Sequence, residues 1–111
     1  MADNTVRVVR ATADTDASTL GLLGTVYLWG VVARNSGTAT SSVILEDRAT
    51  ITGSADGIVM DITANLTGFD ADTTFHEQYE LMLPAPIKCQ TGLSLNLTNA
   101  DIVFLYVQGG D

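Results

Sequence analysis

Pro84-Ala-Pro-Ile-Lys-Cys-Gln-Thr-Gly-Leu-Ser-Leu-Asn-Leu-Thr-Asn-Ala-Asp-Ile-Val-Phe-Leu-Tyr-Val107 is the stretch that decides the fold. It reads as three short strands separated by tight turns. Leu93, Leu95 and Leu97 alternate with Ser94, Asn96 and Thr98, the period-two pattern of a strand with one buried face and one wet face. Residues 99–101 then turn the chain into residues 102–107, which are apolar on both faces. Such a strand needs cover on two sides, and a chain of 111 residues has limited material to supply it. The stretch therefore predicts a small β-domain that completes itself against other copies or a partner surface.

Upstream, residues 5–10 read as a first strand and residues 11–19, with Asp14, Asp16 and Ser18, as a polar connection. Residues 22–34 form a long strand interrupted at Gly30, where a bulge or a close backbone approach is expected. Residues 42–46 make a short strand that Asp47 and Arg48 turn toward residues 50–52. In residues 58–64, Ile58, Met60, Ile62 and Ala64 share one face and Asp61 and Thr63 the other. From Thr73 the alternation returns through Phe75, Tyr79, Leu81 and Leu83, until Pro84 and Pro86 end that strand. No segment with a 3.6-residue period is long enough for a helix. The expectation is an all-β chain: a single antiparallel β-sandwich, jelly-roll-like, of about eight strands. Residues 1–20 form its N-terminal strand or arm and residues 21–111 the sandwich, one domain overall.

Thirteen acids against five bases give a net charge of −8, which repels a phosphate backbone and speaks against nucleic-acid binding. Arg7 and Arg10 make the first ten residues locally basic; they suit either an acidic partner or a solvated edge strand. Cys89 is the only cysteine, so it has no internal disulfide partner and reads as a small core hydrophobe. Residues 1–4 carry neither the basic nor the apolar region of a secretory signal. The longest apolar stretch, residues 20–33, contains Gly21, Gly24 and Gly30 and is shorter than the ~20 residues of a membrane helix. A soluble product of cytosolic synthesis is expected, without membrane contact.

Catalytic chemistry finds little footing. The single histidine, His76, has no nucleophile elbow to serve. Asp14 with Asp16, Glu46 with Asp47, and Asp70 with Asp72 could offer oxygens to calcium or cap turns, but none completes a calcium-loop pattern. Gly21-Leu-Leu-Gly24 lacks the lysine of a phosphate loop. The sequons at Asn65 and Asn96 carry meaning only in a secreted chain. Tyr27 and Trp29 share a strand face, as an aromatic platform for sugars or bases does, but aromatics within apolar strands are more often buried in the core or in a subunit interface. The chain is expected to be non-enzymatic, without cofactor or metal.

The segments Val26-Tyr-Leu-Trp-Gly-Val-Val-Ala33, Ser42-Val-Ile-Leu-Glu-Asp47 and residues 86–106 together resemble the small β-sandwich head decoration, or cement, proteins of tailed bacteriophages. The resemblance covers about three-quarters of the chain and carries no catalytic residue. It implies a virion structural protein, synthesised in the host cytoplasm and carried on the capsid surface. There it would stabilise the head by binding the major capsid protein as a homotrimer. Val26, Leu28, Ile102, Phe104 and Tyr106 are the candidate subunit interface, and Arg7 and Arg10 the candidate capsid contact. The alternative is a receptor- or carbohydrate-binding module of a head or tail fibre, with Tyr27 and Trp29 as its platform.

Overall fold

The computed structural model describes residues 5–35, 41–52, 57–64, 78–98 and 100–110. Seven strands and one short helix form among them: β1 (Arg7–Ala11), α1 (Ala17–Leu20), β2 (Val26–Asn35), β3 (Ser41–Glu46), β4 (Ile58–Ala64), β5 (Gln78–Cys89), β6 (Ser94–Thr98) and β7 (Ala100–Gly109). They make two antiparallel sheets, one in the order β1-β7-β2-β5 and the other in the order β4-β3-β6. After β2 the chain changes sheet at every connection except the β3–β4 hairpin. This is jelly-roll-like connectivity.

In an eight-stranded jelly roll, one further strand between β1 and β2 would lie beside β6. Here a single bridge, Thr15 with Leu95, stands in that place, with both of its amide–carbonyl hydrogen bonds at 2.9 Å. The neighbouring amide of β6, Leu97 N–H, donates to the Asp14 carboxylate at 2.6 Å, and Ile51 N–H donates to the Asp16 carboxylate at 3.0 Å. Two side chains thus accept hydrogen bonds from backbone amides, and the one on β6 is satisfied without a neighbouring strand. The polar connection read from residues 11–19 runs into the one-turn helix α1, too short to show a periodicity.

The core lies between the sheets. Val26, Leu28, Val31 and Ala33 of β2 and Val103, Leu105 and Val107 of β7 point inward. They meet Val43 and Leu45 of β3 and Leu95 of β6, all at most 2% exposed. Leu22, Leu93 and Cys89 close one end of this cluster. Leu93 N–H donates to Leu22 carbonyl at 3.0 Å. That approach needs Gly92, where a Cβ would lie 3.0 Å from both the Ala17 methyl and the Leu22 carbonyl.

Gly30 answers to both expectations placed on it. The register of β2 against β5 and β7 shifts between Leu28 and Gly30, so Trp29 is an extra residue and the strand bulges. The Leu81 carbonyl approaches to within 3.1 Å of where a Cβ of Gly30 would lie, and the Met82 thioether fills that space. The prolines behave otherwise than expected. Strand β5 runs through Pro84 and Pro86 instead of ending there, because it is an edge strand whose outward amides need no ladder partner. The irregularity appears as a loss of register instead: Met82 pairs with Gly30 and Ile87 with Leu28, leaving the residues between them opposite Trp29 alone.

Candidate functional site

Because β7 is apolar on both faces, its outward face is the feature that calls for a function. Val103, Leu105 and Val107 are fully buried in the core, whereas Ile102, Phe104, Tyr106 and Gln108 point away from it and stay partly exposed. The β1-β7-β2-β5 sheet extends this outer face sideways in ordered rows. Val8, Tyr106, Gly30 and Met82 form one row, and Arg10, Phe104, Val32 and Glu80 the next. Beyond them Ile102 stands opposite Arg34, and at the other end Tyr27 stands between Gln108 and Lys88.

Trp29 lies on the same face through the bulge, and its indole N–H donates to Gln108 Oε1 at 3.2 Å. Val32, Arg34, Ile102 and Phe104 line a shallow depression of about 160 Å³. Val8 and Met82 are the most open of the apolar side chains, at 52% and 53% exposure. Among the described residues no second layer packs on this face. A half-buried apolar face of this kind, with arginines, a lysine and a glutamate around it, is suited to protein contact.

The residues expected at a subunit interface divide. Ile102, Phe104 and Tyr106 lie on the outer face. Val26 and Leu28 do not: both have 0% exposure and pack between the sheets, so they have no surface to offer a neighbour. Strand alternation is the reason, since placing Val26 and Leu28 inward turns Tyr27 and Trp29 outward. The arginines divide too. The Arg7 guanidinium donates to Gly109 carbonyl at 2.6 Å and to Gly21 carbonyl at 3.3 Å. It ties the start of β1 to the end of β7 and to the turn after α1, which is a structural task and not an open contact. Arg10 is exposed on the outer face, level with Phe104.

Asp14, Asp16, Glu46 and Asp47 are engaged with the fold. Asp47 accepts hydrogen bonds from the amides of Gln90 at 3.1 Å, Thr91 at 2.9 Å and Gly92 at 3.3 Å, fastening the end of β3 to the β5–β6 turn. Glu46 is fully buried, pairs with Arg48 at 3.2 Å and accepts from the Thr52 amide at 3.3 Å. Among the described residues no cluster of three or more metal-ligating side chains forms. Ser94, also fully buried, donates to Arg48 carbonyl at 2.7 Å and accepts from the Ala17 amide at 3.0 Å. Its hydroxyl is therefore a pin between α1 and β6 and not a nucleophile.

Cys89 is buried, and burial first, then the nearby Asp47 charge, pushes its thiol up to about 12. An inert core thiol follows, as the sequence suggested. His76, Glu77, Asp70, Asp72, Phe69 and Phe75 lie outside the described residues. The chain matches no protein-family model, and no curated protein matches it.

Proposed function

We propose that this chain is a non-enzymatic structural protein of a phage virion, a capsid decoration or cement protein that assembles as a trimer and binds the major capsid protein. One observation carries the reading: the outer face of the β1-β7-β2-β5 sheet is apolar, ordered in rows and uncovered among the described residues. That face gives a place for burial between copies or on a coat surface, and the sequence resemblance supplies the setting. The net charge of −8 keeps unassembled copies soluble and mutually repelling. Arg10, exposed on the outer face, is open to contact with the coat or with a neighbouring copy. The N-terminal arginines are therefore separable, with Arg7 holding the fold and Arg10 available to a partner.

Binding of the purified chain to undecorated capsids tests this function. Co-sedimentation that is lost in Phe104→Asp, with unfolding temperature retained, is the expected result. Undiminished binding by that variant would count against the outer face. A second reading, a carbohydrate-binding module, is favoured by one specific placement: Tyr27 and Trp29 both point outward on this face. A shift of Trp29 fluorescence on adding oligosaccharides, without capsid binding, would favour it.

A further inference from the structure

Among the described residues, the large apolar side chains left exposed are four: Val6, Val8, Leu81 and Met82. Val8 lies on β1 with Val6 just before it, Leu81 and Met82 lie on β5, and these strands are the two edges of one sheet. Natural edges are usually blunted by charge, proline or a bulge, because their unpaired backbone groups accept a further strand. Here Pro84 and Pro86 blunt only the second half of β5.

The registers across the sheet make the two edges comparable height by height. Val8 is level with Met82, Val9 with Leu81, and Arg10 with Glu80. Three successive antiparallel pairings also leave β1 antiparallel to β5. A second copy in the same orientation, set beside the first, therefore continues the antiparallel alternation without a shift. Apolar then falls beside apolar on both faces, and the Arg10 guanidinium falls beside the Glu80 carboxylate.

We propose that the chain self-associates head to tail, the outer edge of β1 in one copy adding to residues 80–82 of β5 in the next. The inference rests on the self-association in the functional reading and names the contact that produces it. The partner is a second copy and not a foreign strand, because the apolar positions of one edge stand level with those of the other and its charge is opposite in sign. Such a contact is heterologous, so it closes into a ring or continues as a filament. A ring with the outer faces turned toward its axis would bury the Phe104 and Tyr106 rows as well.

The test is a cysteine pair across the inferred register. Opposed residues on antiparallel strands bring their Cα atoms to ~4.5–5.5 Å, within disulfide range. The V8C/M82C variant is expected to give a ladder of cross-linked copies on mild oxidation, while V8C/L81C, whose thiols face opposite sides, gives none. The buried Cys89 does not contribute. R10E and E80R are each expected to weaken association about tenfold or more, since like charges then stand opposed. Their combination in one chain restores it, because opposite charges then stand at every junction of the ring. Absence of the 8–82 link, or equal linking at 8–81, overturns the proposal, as does association unchanged in R10E and E80R. An oligomer that persists without the link sinks this contact and leaves trimeric decoration standing. A linked oligomer that ignores capsids does the reverse.

Discussion

Phe104 and Leu105 are neighbours on one strand, and the two faces of the sheet give them opposite fates. Leu105 is fully buried between the sheets. Truncating it to alanine removes buried methyl groups and leaves a cavity, for about 3 kcal/mol or more. For a domain of this size that lowers the unfolding temperature by roughly 10 °C or more. Phe104 is only partly covered within the single chain, so Phe104→Ala costs the isolated subunit about 1 kcal/mol at most. Its larger effect falls on assembly, where the lost contact is worth about 1–2 kcal/mol per copy. Each 1.4 kcal/mol moves the dissociation midpoint about tenfold. Circular dichroism melts at low concentration read the first effect, and molar mass measured across a dilution series reads the second. Equal losses of unfolding temperature in the two variants, with the dilution profile of Phe104→Ala unchanged, would refute the division of β7 into a core face and an assembly face.

Asp47→Ala removes the acceptor of three turn amides. Gln90 and Thr91 are exposed, so water replaces part of the loss. A cost near 1 kcal/mol is expected, with faster hydrogen exchange at the Thr91 amide as the local signature. The Cys89 thiol, raised to about 12 from 9.0, favours the folded state while it stays protonated. Its contribution is intact below pH 9.0 and is lost as pH rises toward 12. Denaturant melts of wild type should therefore lose stability over that window relative to Cys89→Ala, by up to roughly 4 kcal/mol; parallel profiles would contradict this. Gly30→Val puts a branched Cβ where the Met82 thioether sits and should destabilise by ~1–3 kcal/mol. Combining it with Met82→Ala should recover part of the loss in the same melts.

Much of the fold was legible because strand signals are local. The alternation in residues 93–98 and the turn chemistry at Asp47 and Arg48 mark elements without reference to distant residues. Gly30 was legible for a similar reason, since glycine inside a strand has few other uses. Which face of β2 and β7 points inward was not legible. Tyr27 and Trp29 are as apolar as Val26 and Leu28, and Ile102, Phe104 and Tyr106 as apolar as Val103, Leu105 and Val107, so composition cannot rank the faces. Only the second sheet, through Val43, Leu45 and Leu95, decides it. Arg7 was misleading for another reason: its acceptor, Gly109, is 102 positions away. The prolines of β5 were read by their local effect, whereas their tolerance depends on edge position, a property of the whole sheet.

The most direct test of the outer face as an assembly surface is the molar mass of the full chain by light scattering after size-exclusion chromatography at micromolar concentration. A trimer, three times the 11.7 kDa subunit, is the predicted result. A clean monomer of 11.7 kDa would contradict it.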